Sequence, residues 1–122
     1  MKPNLIKEKS FHFAVAVVNL SKTIQSRDRE FVLSKQFLRS GTSIGACVRE
    51  GINAESKLDF IHKLGIAQKE CDETLYWIDL MCATTYITQS ENNIIKNKAE
   101  ELMRIIRSII LSSKKNLDSS HS

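Results

Sequence analysis

The chain has 122 residues and a formal net charge of +4, which suits one domain burying about two-thirds of the surface its unfolded chain exposes. Its apolar fraction of 42% is that of a globular protein, and its longest uncharged apolar run, Phe13 to Val18, falls far short of the roughly 20 residues a membrane span requires. The start, MKPNLIKEKS, lacks the apolar core of a signal peptide, so a cytoplasmic protein without a membrane partner is expected.

Pro3 is the only proline, and glycines occur only at 41, 45, 51 and 65. A chain so poor in breakers carries long helices, and the apolar pattern predicts four. The first spans about Ile6 to Gln25. Phe11, Val15 and Val18 share one side of it, and Phe13, Val17, Leu20 and Ile24 share another. Ser26 to Arg29 reads as a polar turn, with Asp28 as N-cap of the second helix. That helix spans about Glu30 to Gly51, with Leu33, Phe37, Ile44 and Val48 as its apolar seam.

Ser56, with Asp59 three residues later, reads as a capping box opening the third helix, which extends to about Thr88. Its seam is Leu64, Ala67, Cys71, Leu75, Ile78 and Cys82. Ser90 is the expected N-cap of the fourth helix, with Glu91 favourably placed against the helix dipole. The fourth seam is Ile95, Ala99, Leu102, Ile106 and Ile109, and the helix reaches about Ser113. Residues 1–115 thus form the expected bundle, and 116–122 a disordered polar tail. Steps alternating between three and four residues, joined by short connections, predict an all-α, antiparallel up-down-up-down four-helix bundle.

The first and third helices carry more apolar surface than a lone bundle needs. Ile66, Trp77, Leu80 and Met81 lie away from the third seam. With Phe13 and Val17 of the first helix, they are the expected homo-oligomer interface.

Little in the chain suggests catalysis. Cys47, Cys71 and Cys82 are odd in number and lack metal-like spacing, so they read as free thiols of a reducing compartment. The run from Gly41 to Gly45, GTSIG, lacks the Lys-Ser/Thr ending of a phosphate loop. On a helix its two glycines make a smooth patch for close helix approach. Asp59 and His62 have the spacing of a bundle metal motif, but the second motif and the further carboxylates are missing. Ser43, Cys47 and His62 have no identifiable orienting group to complete a nucleophile–base set. The chain therefore reads as a non-enzyme, with no catalytic residue, metal, cofactor or small-molecule substrate expected.

Charge is the better guide. Residues 1–54 hold nine Lys/Arg against four Asp/Glu, whereas 55–122 hold nine against ten. On the second helix, Lys35, Arg39 and Arg49 fall on one side, opposite the seam. Such a stripe suits phosphate backbones, and repetition around a symmetric oligomer would enlarge its field. Arg104 and Arg107 of the fourth helix, followed by Lys114 and Lys115, are a second candidate. They also suit simple compensation of the helix dipole.

The motifs SIGACVREG (Ser43 to Gly51), AESKLDFIHKL (Ala54 to Leu64) and ETLYW (Glu73 to Trp77) resemble the four-helix-bundle proteins encoded by intervening sequences of 23S rRNA genes. The resemblance implies a bacterial homopentamer. It extends in fold to the accessory protein of diversity-generating retroelements, which associates with a reverse transcriptase and nucleic acid. By that analogy Lys35, Arg39 and Arg49 would contact RNA or DNA. The alternative is a scaffold that holds a protein partner, such as a reverse transcriptase-like enzyme, with no direct nucleic-acid role. Cys47 departs from the family pattern, which usually has Asn there, whereas Arg49, Glu50 and Gly51 match it.

Overall fold

A computed structural model describes residues 3–121; Met1, Lys2 and Ser122, at the ends of the expected bundle and tail, lie outside them. Among the described residues the elements are α1 (Pro3–Asp28), α2 (Val32–Ile52), α3 (Lys57–Ala83) and α4 (Gln89–His121), with no strand. Each helix packs on its neighbour in sequence, and α1 meets α4 to close the ring. Side-chain pairs fix the directions. Gln25 donates to Ser34 across the α1–α2 turn, Lys63 reaches Glu50, Lys96 reaches Asp79, and Lys9 reaches Glu101. Every adjacent pair is therefore antiparallel, and the molecule is an up-down-up-down bundle.

The helix ends show which local chemistry prevails. Arg29 takes a left-handed backbone (φ 52°), which stops α1 at Asp28. Asp28 thus belongs to α1 and pairs with Arg27 at 3.2 Å, rather than capping α2 as expected. Phe31 occupies the N-cap without a side-chain bond. Glu30 does the capping instead: its carboxylate accepts the N–H groups of Val32, Leu33 and Ser34 at 2.9, 2.7 and 2.9 Å. Three of the helix's orphan donors are satisfied by one side chain.

Ser56 caps α3 as expected, accepting the Asp59 N–H at 3.0 Å from an extended backbone. Thr85 (φ 67°) ends α3 earlier than the expected Thr88. Thr88, not Ser90, then caps α4. Its hydroxyl accepts the Glu91 N–H at 3.0 Å, and the Glu91 carboxylate accepts the Thr88 N–H at 2.9 Å. This is a reciprocal capping box. Because no proline or glycine interrupts it, α4 runs past Ser113 to His121. Residues 116–121, expected as a disordered tail, are its last turns.

The core holds the expected seam of α4 and, apart from the half-buried Leu33, that of α2. Phe37, Ile44, Val48, Ile95, Ala99, Leu102, Ile106 and Ile109 are all buried. On α3 the seam drifts: Leu64, Ala67, Cys71 and Ile78 are buried, but Thr74 and Met81 replace Leu75 and Cys82, which are half-buried. The Thr74 hydroxyl donates to its own helix's Glu70 carbonyl at 2.7 Å, and the Ser40 hydroxyl lies within hydrogen-bond distance of it at 3.0 Å. Its polar group is thereby satisfied inside the core. On α1 the inward side is Ile6, Phe13, Val17 and Ile24, leaving Phe11 and Val15 exposed.

Three residues expected at an oligomer interface are thereby corrected. Phe13 (2% exposed), Val17 (0%) and Met81 (0%) belong to the subunit's own core. The close α1–α2 approach at Gly41 turns the Val17 side inward, and the drift of α3 does the same for Met81.

Candidate nucleic-acid interface

The basic residues of α2 point outward, but they do not form one free stripe. Lys35 and Arg49 are exposed and make no ion pair among the described residues. Arg39 is engaged by α3: its guanidinium donates to Glu70 at 3.1 Å and also to Glu73. Glu73 accepts the Trp77 indole N–H at 3.0 Å as well. The indole bond, followed by the Arg39 guanidinium, holds the Glu73 carboxyl below the usual carboxylate range despite some opposing desolvation. Arg39 is thus a brace between α2 and α3, set by a register that a single helical wheel does not contain.

Arg49 turns toward the first half of α1. A groove of about 390 Å³ runs between α1 and α2 there, with Lys7, Phe11, Arg49 and Glu50 on its rim and Gly45 and Ala46 in its lining. Lys7 and Phe11 were missed as site residues in the sequence. Their one signal is the i, i+4 spacing that places both on one side of α1. Arg104 and Arg107 are exposed on α4 beside a groove against α3 that also holds Asp72 and Glu100. Lys114 and Lys115 are exposed beyond them.

Of the residues expected at an interface between subunits, Ile66, Trp77 and Leu80 are half-buried. Tyr76, which is 58% exposed, stands edge-on to Trp77 with ring centroids 5.0 Å apart. This leaves a partly wet aromatic and aliphatic surface on the outer side of α3.

Burial disfavours the thiolate at two of the cysteines. The Cys71 Sγ donates to the Ala99 carbonyl at 3.3 Å, and burial pushes its pKa up to about 12. Burial also raises Cys47, with the Glu50 and Glu70 charges adding to the effect. The Ser43 hydroxyl donates to the Arg39 carbonyl at 2.6 Å, an intrahelical bond. Among the described residues no group of three His, Cys, Asp or Glu side chains is placed to hold a metal ion. No described helix is long and apolar enough to cross a membrane.

Fold and surface together define an all-α bundle protein with unpaired cations on its outer faces. The chain belongs to the family of 23S rRNA-intervening sequence proteins, which it matches over residues 2–108. It is similar to a crystal structure of a protein of unknown function from the S23 ribosomal protein family of Bacteroides thetaiotaomicron. That similarity has a TM-score of 0.88 and 51% identity, over 90% of this chain and 98% of that one. No curated protein matches the chain.

Proposed function

We propose that this protein is a non-enzymatic homo-oligomer of the cytoplasm that binds RNA through the outer faces of its bundle. One observation carries the reading. The ion pairs among the described residues engage five cations, Lys9, Arg27, Arg39, Lys63 and Lys96, but seven acids, Glu50, Glu70, Glu73, Asp79, Glu91, Glu101 and Asp28. In a chain that already has 18 basic and 14 acidic residues, the charges left free are predominantly positive. Lys35 and Arg49 on α2 and Arg104 and Arg107 on α4 are among them. Free cations on a rigid scaffold attract phosphate backbones by releasing condensed counterions. Repetition in a ring of subunits, five by the family resemblance, would multiply the field.

The test is a salt titration of binding to a fragment of 23S rRNA. Each phosphate contact adds about 0.7–0.9 to the slope of log affinity against log salt. Replacing Lys35, Arg49 and Arg107 together by Glu should weaken binding and flatten that slope while leaving the helical circular dichroism unchanged. Wild-type protein that binds no RNA at low salt would refute the reading. A second reading, a scaffold for a protein partner, is favoured by Phe31 and Val32, which stand adjacent at the α1–α2 turn with 48% and 73% exposure. Binding of such a partner would survive the charge reversals and be lost on replacing Val32 by Glu.

A further inference from the structure

We infer that Phe11, flanked by Lys7 and Arg49, is a stacking site for the bases of single-stranded RNA. The inference rests on the RNA-binding reading above and gives it a place and a ligand class.

Phe11 is 54% exposed on a helix whose inward side is occupied by Phe13 and Val17. More than half of this phenyl ring stays open to solvent on the outer side of α1. Two cations, Lys7 and Arg49, stand beside it. Two grooves meet at this ring. One, of about 390 Å³, lies between α1 and α2; the other, of about 290 Å³, lies toward Asn4, Glu8 and His12. Lys7, Phe11 and Arg49 line both, so the ring borders two open slots. A flat base can approach its open side.

The charges fit the same ligand. Lys7 and Arg49 come from different helices, converge on both grooves, and pair with no carboxylate among the described residues. The nearby Glu50 carboxylate is held by Lys63 at 3.2 Å, which offsets one local negative charge. Glu8, in the second groove, is the remaining acid there. His12 packs edge-on to Phe11 with ring centroids 6.0 Å apart, bracing the ring from its own helix. Gly45 and Ala46 put no bulk in the first slot, so a planar group can reach the phenyl face. Cations that track a backbone beside an aromatic ring that stacks a base are the combination found in sequence-tolerant single-strand binding. A duplex keeps its bases stacked inside and offers only phosphates to this site. The complementary ligand is therefore a single strand.

The test measures anisotropy of a fluorescent single-stranded RNA dodecamer and of the corresponding duplex, with light scattering on every variant. Phe11→Ala should weaken single-strand binding about 5- to 150-fold, the loss of one base–aromatic stack, with the salt slope unchanged. Phe11→Trp should restore it. Arg49→Gln should instead lower the slope by about 0.7. Because Phe11 is exposed, its removal should leave the helical signal and melting temperature intact. Wild-type binding with no loss in Phe11→Ala overturns this site but spares the RNA-binding reading. No wild-type binding overturns both. A change in particle mass on Phe11→Ala shows that a second copy covers the ring and overturns the site, as does equal binding of the duplex.

Discussion

Gly41 of α2 lies so close to Val17 of α1 that a Cβ built on the glycine would stand 2.8 Å from both valine methyls. A β-branched side chain is stiff at χ1 and cannot swing its methyls away. Here the smooth glycine surface is a requirement of packing. The neighbouring Gly45 is less constrained: its Cβ would meet the Ser10 carbonyl oxygen at 3.4 Å, an ordinary contact. Of the two glycines expected to permit close approach, Gly41 has the stronger steric reason.

The glycines therefore predict opposite signs. Alanine gains about 0.8–1.0 kcal/mol over glycine in a helix interior through backbone entropy. At Gly41 this gain competes with overpacking, typically about 1–3 kcal/mol, so Gly41→Ala should lower stability. At Gly65 a new Cβ meets nothing within 4 Å, so Gly65→Ala should raise stability by up to about 1 kcal/mol. Urea unfolding of both variants checks the pair. A stabilised Gly41→Ala would show that α1 and α2 have room to separate.

Two unusual caps predict an acid transition. Burial opposes ionisation of Glu30, but the N–H groups of Leu33, Ser34 and Val32 together take its pKa below the ordinary value. Glu91 is lowered first by its bond to Arg27, then by the Thr88 N–H. Arg27 also donates to the Tyr86 carbonyl at 2.7 Å, tying the end of α1 to the α3–α4 connection. A carboxyl whose folded pKa is depressed contributes stability above its unfolded pKa, about 4.3 for Glu. That contribution is lost as pH falls through the folded value. The melting temperature should thus fall between about pH 5 and pH 3, and Glu30→Gln with Glu91→Gln should flatten the fall. Equal acid sensitivity in wild type and the double variant would assign the transition to other groups.

The brace at Arg39 separates a structural cation from a binding one. Arg39→Glu would place a third carboxylate beside Glu70 and Glu73, replacing an attraction with repulsion. Exposed pairs contribute only about 0.2–1 kcal/mol, so a melting-temperature drop of a few degrees is expected, partly reversed by adding Glu73→Arg. Lys35→Glu, at a position without such a pair, should leave the melting temperature unchanged. An equal effect of both reversals would mean that the Arg39 pairs contribute nothing in solution.

The architecture was readable because each helix states its own period. Ile95, Ala99, Leu102, Ile106 and Ile109 mark a buried stripe without reference to any other element. The Ser56 cap was readable for the same reason, since Ser-x-x-Asp is a local pattern. What stayed hidden depends on how helices meet. Both sides of α1 are apolar, so only the glycine of a neighbouring helix decides that Val17 turns inward and Phe11 outward. Arg39 pairs with carboxylates far along the chain, and only the α2–α3 register brings them together. Glu30 escaped notice because its long side chain caps from before the N-cap position, where short side chains are the usual signal. The groove at Phe11 needed two helices to exist at all.

The outer side of α3 predicts self-association. Tyr76 is exposed against the half-buried Trp77, with Leu80 one turn on and Ile66 nearer the helix start also half-buried. Aromatic side chains beside aliphatic ones are typical anchors of subunit interfaces. A lone 13.9 kDa bundle leaves this surface wet, at a cost of about 25 cal/mol per Å² of apolar area. Light scattering should give a mass several times that of one chain. Tyr76→Asp should shift the mass toward the single subunit without loss of helical signal. Tyr76 is the better probe than Trp77, because the Trp77 indole also supports Glu73 and, through it, Arg39. Leu80→Asp provides an independent test on the same surface, one turn away. A wild-type mass of one subunit at every concentration would refute association, and the summed field proposed for RNA binding would fall with it. A multimer unaffected by either substitution would place the interface elsewhere on the bundle.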